Sequence, residues 1–196
     1  LTDCIEKLRD LVRNHFSLIS AGTELACLSG GESWFPLPRT PGYAGVGEVL
    51  ATGEAVRSHQ VGDRVFTYGP HAEYFRVNTR DRHHGICVRV PTQLNPDRAT
   101  FARMISIALT AIRTSSIELG DTVVVTGLGL VGNFAAQQAQ LQGAHVIAAD
   151  ISARRRELAE ACGIERTVDS SEPDWKERVA EMAGGREIST LIDATG

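Results

Sequence analysis

Between residues 16 and 91 the apolar positions come in short runs broken by turn formers. The runs are His15-Phe-Ser-Leu-Ile-Ser20, Gly45-Val-Gly-Glu-Val-Leu50, Arg64-Val-Phe-Thr67, Ala72-Glu-Tyr-Phe-Arg-Val77 and Ile86-Cys-Val-Arg-Val90. Gly53, Gly62-Asp63, Gly69-Pro70 and Asn78 punctuate them, so this half predicts the strands of a compact, mostly β barrel or sandwich. Ahead of it, Ile5, Leu8, Leu11 and Val12 recur at helical spacing with charged residues between them, which predicts an amphipathic helix over residues 1–12.

The pattern changes after Pro91. Residues 98–115 carry Phe101, Met104, Ile105, Ile107, Ala108, Leu109, Ala111 and Ile112, apolar nearly all round, as expected of a helix buried between two layers. Then strand and helix alternate: Thr122-Val-Val-Val-Thr126, a helix over 130–142 closed by Gly143, His145-Val-Ile-Ala-Ala-Asp150, a helix over 153–162 closed by Gly163, Arg166-Thr-Val-Asp169, a helix over 173–183, and Ser189-Thr-Leu-Ile-Asp193. Strands joined by helices at this spacing predict a parallel sheet with helices on its faces. The reading is a mostly-β domain over 1–108 and an α/β, doubly wound domain with four strands over 109–196.

Gly127-Leu-Gly129-Leu-Val-Gly132 falls where the first of these strands meets the first helix, and an acid, Asp150, ends the second strand 23 residues after Gly127. Glycine at 127 permits the tight turn, at 129 lets a pyrophosphate reach bare backbone, and at 132 lets the helix pack close to the sheet. Leu130 and Val131 then open a helix whose free N–H groups and partial positive charge suit phosphate. Asp150 can accept hydrogen bonds from both ribose hydroxyls and would repel a 2′-phosphate, so NAD(H) is favoured over NADP(H). Arg154-Arg155-Arg156 lies one turn beyond. It either attracts that extra phosphate, with Arg155 at its centre, or forms a solvated helix face paired with Glu157 and Glu160.

Composition narrows the partners. Against 24 Asp+Glu the 196 residues hold 20 Lys+Arg, a net charge of −4, which leaves no excess of positive charge to neutralise a nucleic-acid backbone. No run approaches the ~18 apolar residues of a membrane span, and the N-terminus shows no signal-peptide pattern, so a cytoplasmic location is expected. Cys4, Cys27, Cys87 and Cys162 stand far apart, which argues against a zinc knuckle or a disulfide framework and for reduced, mostly buried thiols.

A mostly-β half, a buried helix and a dinucleotide-binding half in this order resemble the medium-chain dehydrogenase/reductase superfamily of zinc-type alcohol dehydrogenases. The resemblance covers about residues 16–196 and rests on the turn Ala21-Gly-Thr-Glu24, Pro41-Gly-Tyr-Ala-Gly-Val-Gly-Glu-Val49, Val61-Gly-Asp-Arg-Val65, His71-Ala-Glu-Tyr74, Leu109-Thr-Ala111 and the glycine fingerprint. It implies a GroES-like β barrel followed by a Rossmann domain, a nicotinamide cofactor and oxidoreductase chemistry. The catalytic zinc does not carry over: the family's ligand positions hold Ala21, Tyr43 and Ser106, and the four-Cys structural zinc lobe is missing. The resemblance therefore points to the zinc-independent branch.

Without a metal, hydrogen-bond donors must polarise the carbonyl or alkene. Tyr43 is the first candidate and Ser106 the second, with Thr23 or His71 as relays. Each also has a bland role: Tyr43 packed in a core, Ser106 bonded along its own helix, His71 solvated in the turn after Pro70. His83-His84 reads as an exposed loop. By the resemblance Thr110 lies beside the nicotinamide, and Thr195-Gly196 ends the fourth strand, where open α/β sheets bind ligands. The leading expectation is hydride transfer between NAD(H) and a small carbonyl, alcohol or activated alkene. Alternatives are a nucleotide-binding regulatory or scaffold protein without turnover, and a metal enzyme with ligands rebuilt from His71, Cys87 or Glu48. Because the family's nucleotide half needs about six strands and four are present, the chain is expected to be the N-terminal portion of a longer, homodimeric enzyme, binding NAD weakly or not at all by itself.

Overall fold

The structure is a computed structural model that describes residues 9–195. Their contacts divide into two units, with the division between Arg103 and Met104, a few residues before the boundary at 108 drawn from sequence.

In the first unit the strands are β1 (Arg9–Ser17), β2 (Gly45–Thr52), β3 (Arg64–Thr67), β4 (Tyr74–Asn78) and β5 (Cys87–Arg89). They form one antiparallel sheet in the order β4-β1-β2-β3-β5. Although β1 and β5 stand three strands apart in that order, the Cys87 Sγ of β5 lies 3.9 Å from Asp10 Oδ2 of β1. The sheet thus rolls upon itself, as a small barrel does, around Val12, Val49, Val65 and Val77. Asp10, fully buried, shares this interior with His59 of the β2–β3 loop, whose Nδ1 is 3.1 Å from Asp10 Oδ2. Burial raises the Asp10 carboxyl above its ordinary value, against the pull of His59, and pushes the Cys87 thiol up to about 12.

Two predicted elements change here. Residues 9–12 belong to β1 and not to a helix, because Asp10 and Val12 face inward at a period of two while the strand pairs with both β2 and β4; residues 1–8 of that predicted helix lie outside the described residues. The expected turn at 21–24 is the start of helix α1 (Ala21–Leu28), which the alternating strand signal ahead of it, ending at Ser17, had obscured. A short helix α2 (Pro96–Ala99) follows β5.

Helix α3 (Ala102–Thr114) spans the division, separate from α2. It buries only Met104, Ala108 and Ile112, a single i, i+4, i+8 stripe, while Ile105 and Leu109 are exposed, so it is amphipathic where the sequence suggested a helix buried all round.

The second unit alternates as expected: β6 (Thr122–Thr126), α4 (Leu130–Leu141), β7 (His145–Asp150), α5 (Ala153–Ala161), β8 (Thr167–Asp169), α6 (Trp175–Ala183) and β9 (Ile188–Asp193). The strands are parallel in the order β8-β7-β6-β9, which is the 3-2-1-4 of a dinucleotide-binding sheet. The β-branched run of β6 is buried on both faces. Val123 and Val125 meet Ala108 and Ile112 of α3 and Ala135, Ala136 and Ala139 of α4, while Val124 joins Ile147, Val168 and Val179 on the other side. This is why the strand reads as a continuous apolar run rather than an alternating one. No helix among the described residues is long and apolar enough to cross a membrane.

Candidate functional site

The second unit carries a glycine-lined cradle at the end of β6. Gly127 leaves β6 at φ +80°, a conformation that disfavours a side chain, and a Cβ there would lie 2.7 Å from the Ala194 carbonyl carbon. At Gly132 a Cβ would lie 1.8 Å from the Gly127 carbonyl oxygen, so only glycine lets the first turn of α4 settle on the strand end. At Gly129, the N-cap of α4, a Cβ would meet nothing within 4 Å. The cradle is therefore closed behind Gly127 and Gly132 and open in front of Gly129, where Leu130 and Val131 begin the helix with N–H groups that have no acceptor within it.

Asp150 ends β7 beside this turn, almost wholly buried. Its Oδ2 accepts from the Leu128 N–H at 2.6 Å and its Oδ1 from the Ser152 N–H at 2.8 Å. Arg155 reaches the same carboxylate at 3.4 Å with its guanidinium half exposed, whereas Arg156 donates to the Asp150 carbonyl and bridges to Asp169 at 2.7 Å. These arginines thus bind the strand ends rather than Glu157 and Glu160, because their helix starts directly above two carboxylates. Asp169 in turn lies below the usual carboxylate range, chiefly through the hydrogen bonds of Ser171 and then through Arg156.

At the far edge, Asp193 of β9 accepts from the Thr195 N–H at 3.0 Å, from Thr195 Oγ1 at 2.7 Å and from Thr126 Oγ1 at 2.9 Å. Those donors hold its carboxyl below the ordinary value. Thr110 sits on an exposed stretch of α3 and donates to the Ser106 carbonyl at 3.1 Å; Ser106 itself is half-buried one turn earlier.

In the first unit the structure assembles a side-chain chain that sequence reasoning saw only in part. His71 Nε2 is 2.7 Å from Glu24 Oε2, and His71 Nδ1 is 2.9 Å from Ser17 Oγ. Glu24 is buried on α1, its other oxygen accepting the Ser20 N–H at 2.8 Å, a near relative of a capping box. The His71 N–H donates to the Pro41 carbonyl at 2.7 Å, which seats the imidazole on the segment that carries Tyr43. Tyr43 is half-buried, with the Arg103 guanidinium 5.7 Å from its ring centroid. Ser17 and His71 line a cavity of about 210 Å³. Thr23 is exposed on α1, and His83 and His84 are exposed in a loop tied by Asp81. Of the thiols described, Cys27 is buried, Cys87 half-buried and Cys162 exposed, so burial is less general than expected.

The chemistry of the chain follows from the tautomer. A carboxylate can only accept, so Nε2 carries the ring proton and Nδ1 is left to accept the Ser17 O–H. Ser17, His71 and Glu24 form a hydrogen-bonded chain with a buried carboxylate behind an oriented imidazole. Glu24 and Ser17 were not singled out from sequence; the signal was an acid inside an otherwise uncharged segment, the Ser20–Ala26 stretch.

A glycine-rich turn closed by an acid, on a parallel sheet ordered 3-2-1-4, defines a Rossmann-like unit. The chain belongs to the alcohol dehydrogenase GroES-like domain family, whose model matches residues 11–153; a second model, for zinc-binding dehydrogenases, matches residues 131–196. It is 29% identical over 200 residues to a sorbitol dehydrogenase of Halalkalibacterium halodurans, covering 84% of this chain and 57% of that one. Among solved structures it is similar to the alcohol dehydrogenase TADH of Thermus sp. ATN1, at 27% identity and TM-score 0.83, covering 97% of this chain and 64% of that one. A zinc-binding dehydrogenase from Sinorhizobium meliloti 1021, bound to NADP, is 26% identical with TM-score 0.82, covering 97% and 63%. The chain spans about half the length of the curated relatives it matches.

The family implies two groups, zinc and a dinucleotide. At the positions corresponding to the catalytic zinc ligands, Ala21 offers no donor atom, Tyr43 has a guanidinium at its ring, and Ser106 offers only a hydroxyl, so these residues do not fit a zinc ion. The cradle at Gly127–Gly132 with Asp150 does fit a dinucleotide, since the space before Gly129 is open and the N–H groups around it face that space unpaired by the helix.

Proposed function

We propose that the chain supplies the substrate unit and the first part of the coenzyme unit of an oxidoreductase that moves hydride between a nicotinamide dinucleotide and a small carbonyl, alcohol or activated alkene, without catalytic zinc. The observation that carries this reading is the Asp150 carboxylate held 2.6 Å from the Leu128 N–H within the glycine turn. Gly127, Gly129, Leu130, Val131 and Gly132 would hold the pyrophosphate, and Asp150 the adenosine ribose. Thr110 and Thr195 would line the nicotinamide side. A bound nicotinamide supplies the hydride acceptor or donor.

The protein's own task is the accompanying proton. Tyr43 and Ser106 are the proposed donors to the substrate oxygen. Ser17, His71 and Glu24 are the proposed path by which a proton reaches or leaves the first unit: as the Ser17 oxygen takes up a proton from the substrate side its own passes to His71 Nδ1, so the hydroxyl is restored, and Glu24 stabilises the imidazolium that results. NAD(H) is the preferred coenzyme because an acid at the end of β7 can accept from both ribose hydroxyls and would repel a 2′-phosphate. A specific observation favours a second reading, NADP(H): the half-exposed Arg155 guanidinium lies 3.4 Å from that carboxylate and could turn to a 2′-phosphate.

NADH titration followed by fluorescence tests the coenzyme assignment. A saturable, blue-shifted enhancement with NADH and a weaker response to NADPH is expected; equal or tighter NADPH binding overturns the preference for NAD(H). Turnover against a panel of alcohols, carbonyls and enones tests the reaction. Binding with no hydride transfer to any of them, and no effect of Tyr43→Phe, would assign the chain to nucleotide-dependent regulation instead.

A further inference from the structure

We propose that Asp10, His59 and Cys87 form a site for a divalent transition-metal ion, zinc by preference, inside the rolled sheet of the first unit. None of the three belongs to the positions where the family carries its catalytic zinc, and none is used by the proton relay.

One ligand atom from each residue lies within 4.8 Å of the other two. Asp10 Oδ2 is 3.1 Å from His59 Nδ1 and 3.9 Å from Cys87 Sγ. Ligand atoms bound at about 2.0–2.3 Å in a zinc tetrahedron stand about 3.3–3.7 Å apart, so the cluster needs shifts of under about 1 Å to close on an ion. Carboxylate, imidazole and thiolate are the donor types zinc prefers, and a three-residue set leaves a fourth position for water.

The alternative is a buried Asp–His pair with a thiol packed beside it. That arrangement leaves the second oxygen of a fully buried carboxylate idle: Asp10 Oδ1 has no hydrogen-bond partner among the described residues. Such an orphan is costly, and an ion bound by both oxygens of the carboxylate, Oδ2 towards His59 and Cys87 and Oδ1 beside it, would satisfy it. Ser58 Oγ, 2.9 Å from His59 Nδ1, is exposed and can turn to solvent when that nitrogen takes up an ion. The three residues come from β1, the β2–β3 loop and β5, so one ion would fasten the first and last strands of the roll to the loop between two others. Its role is to hold the barrel closed.

Cobalt(II) titration of the chain, purified in the presence of chelator and then freed of it, tests the site. Saturable binding at one equivalent is expected, with a thiolate-to-cobalt charge-transfer band and displacement by zinc. Cys87→Ser should abolish the band and weaken binding by about a hundredfold or more, His59→Gln should weaken it similarly, and Cys27→Ser and Cys162→Ser should leave both unchanged. Zinc should raise the thermal midpoint of the unsubstituted chain by about 5 °C or more, and chelator should reverse the shift. The proposal is overturned by absence of saturable binding below about 100 µM metal in the unsubstituted chain, or by a charge-transfer band that survives Cys87→Ser. These readouts do not depend on dinucleotide binding or turnover.

Discussion

His71 is fixed from both sides, by a buried acid at Nε2 and a hydroxyl at Nδ1, and its function in the proposed reaction rests on that order. His71→Asn removes the imidazole that takes up the proton and should lower kcat by about a hundredfold or more while leaving NADH affinity intact, which steady-state kinetics beside fluorescence titration would separate. A parallel loss in both would mark His71 as structural. Asp193 makes a prediction of another kind. Its folded-state pKa is depressed by Thr195 and Thr126, so its contribution to stability is present above the ordinary carboxylate range and is lost as pH falls through that range towards the lower folded value. Asp193→Asn should lower stability in the neutral region and leave the acid end little changed, which flattens the stability–pH curve between them. At this scale the sequence was legible wherever partners are neighbours. The glycine fingerprint and Asp150 could be read directly, whereas Glu24 and Ser17 reach His71 across 47 and 54 positions, a distance that no local pattern encodes.

Among the elements, α4 depends most on one residue. Gly132→Ala would place a methyl 1.8 Å from the Gly127 carbonyl, and because both groups are backbone or fixed to it, the helix start must move. The expected result is a loss of about 1–3 kcal/mol in denaturant unfolding together with loss of NADH binding. At the sheet margin, β9 pairs with β6 on one side only among the described residues, and Leu191 and Ile188 are exposed there. Leu191→Lys should reduce concentration-dependent association of the chain, measured by light scattering, since a charge on an edge strand opposes pairing with another. Helices and strands of the second unit were legible because each is a clean period bounded by glycine or an acid. Two elements of the first unit were not. β1 mixes charged residues into a strand paired on both sides, and α1 hides its helical face behind a glycine and small residues.

For the whole molecule, alternating strands and helices made the parallel, doubly wound character of the second unit legible, while the order β8-β7-β6-β9 was legible only through the resemblance to a Rossmann domain. The roll of the antiparallel sheet was not similarly readable, since it depends on which distant strand closes on which, and the Asp10–Cys87 approach is its product. The parallel unit stands on a small core, in which Ile147 is fully buried among Val124, Val168 and Val179. Ile147→Ala should cost about 2–5 kcal/mol in that unit's unfolding, seen as a shifted transition in calorimetry.

The double anchoring of Asp150 also constrains how coenzyme preference can evolve. The carboxylate that would select the ribose is the same one that holds the Leu128 and Ser152 amides, so a substitution that admits a 2′-phosphate by removing the acid also strips one buried and one half-buried donor of their acceptor. A lineage descending from this sequence cannot trade one coenzyme for the other by a single step to glycine or alanine without loosening the turn. The accessible route runs through asparagine or serine, which keep an oxygen in place while the charge is shed, and only afterwards through the neighbouring arginines.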